Sequence, residues 1–216
     1  MQLGPFPSLI LPSTMPIDTA FESQSGPPQA PPSPPLPPLQ PLRPARPTLR
    51  FMLSHPAHLI ALGFGAGLSP FAAGTVGTVW AWVAFLALQR YGMTDLGWGL
   101  LLAASLAVGW WASTVTARHL QVLDPGCIVW DEIAAFWLVL WLVMPAGFWG
   151  QAVAFALFRY FDAAKPGPVG WADRLFHGVT PATDPRTWQK AGFGIMLDDL
   201  VAAGCTLLVI AAWRFS

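Results

Sequence analysis

From His58 to the C-terminus the chain alternates apolar blocks with short polar connections, and that alternation limits its possible folds more than any motif does. Five blocks read as membrane-embedded helices, at about 76–90, 97–117, 132–144, 148–160 and 199–214. Only the second reaches the ~20 residues of a perpendicular span, so the third and fourth, joined at Pro145-Ala146-Gly147, read as short, tilted or partly re-entrant. The expected fold class is all-α, a polytopic membrane helical bundle. Only 10% of residues are charged, where a soluble domain carries about a quarter. A soluble helical domain with an unusually apolar core is the competing reading. Trp80, Trp98, Trp149 and Trp213 stand near block ends and read as interfacial anchors.

The first 50 residues differ in kind. Fifteen of the 23 prolines fall there, and a run such as PPQAPPSPPLPPLQPLRP supports neither helix nor central strand. The expected organisation is a disordered Pro-rich tail over 1–50 and a membrane-embedded domain over 51–216. No signal-peptide pattern is expected, because the first basic residue is Arg43. Zero formal net charge and the lack of a long basic run argue against a nucleic-acid partner. Cys127 and Cys205 lack metal-ligand spacing and read as small buried residues.

If the helices alternate in direction, Arg43, Arg46, Arg50, Arg118, Arg159, Lys165, Arg174, Arg186 and Lys190 share one side, against Arg90 and Arg214 on the other. That excess assigns the first side to the cytoplasm. The same assignment gathers Asp124, Asp131, Glu132, Asp162, Asp173, Asp198 and Asp199 there, with Asp95 opposite. Asp131-Glu132 and Asp198-Asp199 each read as the start of an apolar helix, where the helix dipole favours carboxylates. Two such pairs at one boundary would repel unless protonated or bridged by a cation. An oxygen-rich set of this kind suits Mg²⁺, which joins one or two carboxylates to a substrate phosphate. Asp131, Glu132, Asp198 and Asp199 are therefore the expected metal ligands.

Around them, Asp162 and Lys165 stand three residues apart before Pro166, and Asp173-Arg174 precedes His177. Asp162 and Asp173 read as further metal or base carboxylates, Lys165 and Arg174 as charges offsetting a phosphoryl group, and His177 as a proton donor. The glycine-rich stretch from Gly63 to Thr78 matches neither the dinucleotide fingerprint nor the P-loop; its backbone amides at a helix start are a candidate phosphate contact, and close helix packing is the plainer use of its glycines. An ion transporter would place ionisable groups deep within the spans, where this chain has almost none, and a non-catalytic scaffold would use the proline tail as its binding arm.

Taken in order, GAGLSPFAAGTVGT, IVWDE, FRYFDAAKP, WADRLFHG and GIMLDDLVAAG resemble the phosphatidylglycerophosphatase A family over about residues 60–204. The resemblance implies Mg²⁺-dependent hydrolysis of the phospholipid phosphatidylglycerophosphate to phosphatidylglycerol at the cytoplasmic face of the bacterial inner membrane. It supports Thr75, Asp131, Glu132, Asp162, Lys165, Asp173, His177, Asp198 and Asp199 as site residues. Ala73 and Ala135 depart from the family's usual proline and glycine, and about 179–193 reads as an inserted cytoplasmic loop.

Overall fold

A computed structural model describes residues 47–175 and 184–214, and among them all regular structure is helical. Two short helices, α1 (Leu49–Leu53) and α2 (Pro56–Ala61), lead into a 3-10 segment, Gly63–Leu68. The main body follows as α3 (Ala73–Arg90), α4 (Asp95–Leu120), α5 (Trp130–Val143), α6 (Phe148–Ala164), α7 (Pro168–Arg174) and α8 (Thr187–Arg214). The five apolar blocks of the sequence correspond to α3, α4, α5, α6 and α8.

The shortest of these five is the centre. Ten of the 14 residues of α5 are buried, and it packs against α3, α4, α6 and α8. A helix apolar on every side has no face to give to solvent, so neighbours surround it. At ~1.5 Å per residue α5 is about 21 Å long, short of the ~30 Å hydrocarbon thickness. Among the described residues, α4 and α8 are the two helices long and apolar enough to cross a membrane.

Tryptophans tie the bundle together through their indole N–H groups, which need acceptors once buried. Trp130 donates to the Ser105 carbonyl of α4 at 3.1 Å and Trp137 to the Ala81 carbonyl of α3 at 2.8 Å. Trp82 of α3 donates to Gln151 Oε1 of α6 at 2.7 Å. Trp98, expected as an interfacial anchor, is instead 2% exposed and stacked on Phe85. Its place near a block end does not decide its depth, because Phe85 of α3 covers the ring from another helix. Trp149 and Trp213 are exposed. Near the N-terminus, His58 Nε2 and His119 Nδ1 lie 2.8 Å apart and join α2 to α4.

Two sequence boundaries need revision. Residues 1–46 of the expected tail lie outside the described residues, but Leu49–Leu53 is helical and capped by Thr48, whose hydroxyl accepts from Phe51 N at 3.2 Å. Of the expected inserted loop, 179–183 lie outside the described residues, while 187–193 form the first turns of α8. The helix begins early because Asp184 Oδ1 accepts from Arg186 N at 2.7 Å and Asp184 O from Thr187 N at 3.1 Å, just after Pro185 sets a helical φ. Asp198 and Asp199 consequently sit inside α8, not at its start.

These extra turns lie against α4. A Cβ on Gly192 would come within 2.8 Å of the backbone nitrogen of Thr114, so α4 and α8 cross where only glycine fits. Gly192→Ala should cost about 1–3 kcal/mol by forcing the two helices apart. Gly204→Ala, whose Cβ meets nothing within 4 Å, should be neutral or slightly stabilising. Thermal unfolding of both variants in detergent checks the contrast; equal midpoints would refute it.

Candidate active site

The acidic residues meet at one end of the bundle because four elements deliver them there. The N-terminus of α5 carries Asp131 and Glu132, the last turn of α6 carries Asp162, α7 carries Asp173, and α8 carries Asp198 and Asp199. Asp131, Asp198 and Asp199 are buried. Asp131 is close enough to be repelled by Glu132, Asp198 and Asp124, and Asp199 by Asp131, Asp162, Glu132 and Asp198. The sites expected from separate stretches of sequence therefore form one electrostatic cluster.

Two cations hold it. Arg159 Nη1 donates to Glu132 Oε1 at 3.1 Å, pairs with Asp162 on its own helix, and reaches Thr78 Oγ1 of α3 at 3.4 Å. Thr78 is held in turn by its bond to the Gly74 carbonyl at 2.9 Å. One guanidinium nitrogen thus joins α3, α5 and α6. Glu132 lies directly on α3: a Cβ on Gly74 would sit 1.8 Å from Glu132 Oε1. The glycine at 74 leaves room for a carboxylate of this chain, and Gly67 packs just as closely on the Cys127 carbonyl. Close packing is therefore the observed use of these glycines.

Lys165 is the second cation. It caps α6 in the left-handed conformation, φ 44°, which costs a non-glycine residue energy. That conformation turns its ammonium between Asp173 and Asp198, with Nζ 2.6 Å from Asp198 Oδ2. Burial works against the charge, but the bonds to Asp173 and Asp198 outweigh it and hold the ammonium above the usual lysine range. A pKa raised by folding contributes stability in full below the unfolded value, about 10.4, and loses it only as pH rises through the folded one. Lys165 is then a fixed positive charge across the neutral range, not a proton carrier.

The remaining expected residues are less engaged. Thr75 is half-buried in the first turn of α3, Arg174 is exposed at the end of α7, and His177 lies outside the described residues. Burial pushes the free Cys127 thiol up to about 11, so it is an inert packing residue. The set of catalytic candidates overlooked Thr78 and Asp124, and Arg159 entered as one of the basic residues that set the orientation. The spacing Arg159 to Asp162, three residues apart on a helix, was the signal available for their pairing. Asp124 and Thr78 carry no local signal, since what matters is the pocket or the partner that tertiary packing places beside them.

Buried oxygens with no hydrogen-bond partner remain on Asp131 (Oδ1), Glu132 (Oε2) and Asp199 (Oδ1). Among the described residues, no group of three or more His, Cys, Asp or Glu side chains is arranged to hold a metal ion by itself. Unpaired carboxylate oxygens without a closed cage fit Mg²⁺, which takes one or two carboxylates and completes its six oxygens with water and substrate phosphate. The donor set suits a hard cation and offers nothing to a thiophilic one. Next to Asp199 along α8, a narrow cleft opens between Asp124, Asp173 and Asp198, and Asp124 also lines a larger pocket.

Known proteins resemble the chain over most of its length. Residues 59–214 match the family model described as Phosphatidylglycerophosphatase A. The Phosphatidylglycerophosphatase A of Escherichia coli K12 is 36% identical over 159 residues, 71% of this chain and 80% of its own. That of Haemophilus influenzae is 32% identical over 169 residues, 77% of this chain and 93% of its own. A putative phosphatidylinositol-3-phosphatase of Bacteroides thetaiotaomicron is 34% identical, covering 73% of this chain and 92% of its own. No solved structure matches the chain.

Arg159→Leu should destabilise by about 1–3 kcal/mol, because it strands the carboxylates of Glu132 and Asp162. Adding Glu132→Gln should recover part of that loss, giving a coupling well away from zero in a double-mutant cycle of unfolding free energies. Additive losses would show that the pair does not interact.

Proposed function

The chain belongs to the phosphatidylglycerophosphatase A family, and from that premise we propose that it hydrolyses phosphatidylglycerophosphate to phosphatidylglycerol and inorganic phosphate, with Mg²⁺, at the cytoplasmic face of a bacterial inner membrane. One observation carries the reading: Asp131, Glu132 and Asp199, each with an orphaned buried oxygen, belong to one acidic cluster where the charge-free stretches of α5 and α8 begin. Ile133–Val143 in α5 and Leu200–Trp213 in α8 hold no charged residue, and neither does Leu96–Ala117 in α4. With those stretches in hydrocarbon, the carboxylates stand at the level of lipid head groups. Asp95, which accepts from Trp141 Nε1 at 3.2 Å, marks the other end of the bundle. Several helices passing through the bilayer, with the basic connections in the cytoplasm, make the protein multi-pass.

In this reading Asp131, Glu132, Asp198 and Asp199 hold Mg²⁺, directly or through water. When bound, the ion offsets charge on the phosphoryl oxygens and makes the attacking water more acidic. Arg159, paired with Asp162, holds Glu132 Oε1, while Oε2 lies against Gly74 and Gly77 of α3 and has no hydrogen-bond partner. Asp173 borders the cleft and takes a proton from the attacking water as its oxygen bonds to phosphorus. Lys165, held at Asp198, opposes the negative charge that builds on the phosphoryl group, and Arg174 and Thr75 contact its oxygens from the rim. The bond from phosphorus to the head-group glycerol oxygen breaks, and His177 returns a proton to that oxygen.

Purified protein should release phosphate from phosphatidylglycerophosphate with Mg²⁺ and lose at least about a hundredfold in kcat with chelator, or with Asp131→Asn or Asp199→Asn. Phosphatidylinositol 3-phosphate is the comparison substrate, given the name of the Bacteroides relative. Phosphate release that withstands both chelation and the carboxamide substitutions would overturn the metal-assisted mechanism. A preference for the inositol lipid would overturn the substrate.

A further inference from the structure

The reacting phosphate occupies only part of the substrate, and the structure offers a place for the rest. A pocket of about 270 Å³ lies between Gly67, Leu68 and Ser69 on one wall and Asp124, Gly126 and Cys127 on the other. It meets the catalytic cleft at Asp124, the one residue that lines both. Asp124 is also its one charged wall residue. The Ser69 hydroxyl is already committed to the Phe71 carbonyl at 2.7 Å, so the pocket's free polar side chain is a carboxylate. Such a surface repels a second phosphate and accepts hydrogen bonds from hydroxyl groups.

Resting on the phosphatase reading above, we propose that this pocket is a specificity subsite that receives the hydroxylated linker between the two phosphates of the head group, with Asp124 accepting its free hydroxyl. In phosphatidylglycerophosphate that linker is a three-carbon glycerol with one unesterified hydroxyl, directly attached to the phosphate that enters the cleft. Phosphatidic acid, whose phosphate sits on the diacylglycerol itself, has no such linker. Asp124 is exposed, so water pairs with it when the hydroxyl is absent, and the discrimination comes from the contact that the longer head group gains in the pocket. The subsite thereby separates a phosphorylated polyol lipid from the simpler phosphomonoester lipid around it.

Gly126 provides the test. It lines the pocket, a Cβ there meets nothing within 4 Å, and its backbone has no left-handed φ, so larger side chains fit at the pocket wall without displacing the fold. Gly126→Ala, Gly126→Val and Gly126→Leu should lower the ratio of kcat/KM for phosphatidylglycerophosphate over phosphatidic acid in steps, by about tenfold or more at leucine, mainly through KM for the first lipid. Asp124→Ala should lower the ratio further than Asp124→Asn, which keeps an acceptor oxygen. Thermal midpoints measured alongside identify any variant that does not fold, and the alanine and valine steps then carry the comparison. A ratio that stays constant across folded variants of an active enzyme overturns this inference alone. Failure of the unaltered protein to release phosphate from either lipid overturns the phosphatase reading and the subsite with it.

Discussion

Carboxylates crowded together at the edge of an apolar bundle repel one another, and most of the local structure answers that repulsion. Burial raises its cost, since the interior screens charge poorly. Asp131, Glu132, Asp162, Asp173, Asp198 and Asp199 come from four elements, and the two cations among them are each shared between at least two acids. Arg159 serves Glu132 and Asp162; Lys165 serves Asp173 and Asp198. Negative charge still exceeds positive charge there, and orphaned oxygens remain on three of the acids. Such an arrangement is relieved either by protonation of some of the acids or by a bound cation, and the proposed reaction uses the second.

The same demand explains features that look unrelated. Lys165 accepts a left-handed backbone because that turn brings its ammonium to two carboxylates at the end of α6. Gly74 has no side chain because Glu132 occupies the space. Thr78 spends its hydroxyl proton on the Gly74 carbonyl and leaves a lone pair for Arg159. Further from the site, buried tryptophans place their N–H groups on carbonyls of neighbouring helices, so α5 is fixed in rotation and depth relative to α3 and α4. That fixed rotation is what aims Asp131 and Glu132 at α8 and α6.

Position along α8 has a further consequence. The two aspartates stand 11 and 12 residues beyond Thr187, so about 16 Å of helix precedes them. That leading segment crosses α4 at Gly192 and contributes Ala191, Gly194 and Ile195 to the catalytic cleft. The residues that interrupt the family pattern are therefore partly wall and not wholly covering loop. Asp184-Pro185, a capping acid followed by a helix-starting proline, was the sequence signal for this, and it was outweighed by the expectation that paired carboxylates begin helices.

The sequence by itself determined the helical class, the five apolar blocks and the gathering of acids on one side, because hydrophobic length and charge placement are local properties that burial must obey. It also supplied the ordered motifs that identify the family. Depth, pairing and boundaries were decided only by tertiary structure. Trp98 became core because α3 lies beside it, Arg159 became a clamp because Glu132 and Thr78 arrive from other helices, and Asp124 gained importance from the two cavities that meet there. Each of these depends on groups distant in sequence approaching within a few ångströms, and no spacing along one chain encodes which of them will meet.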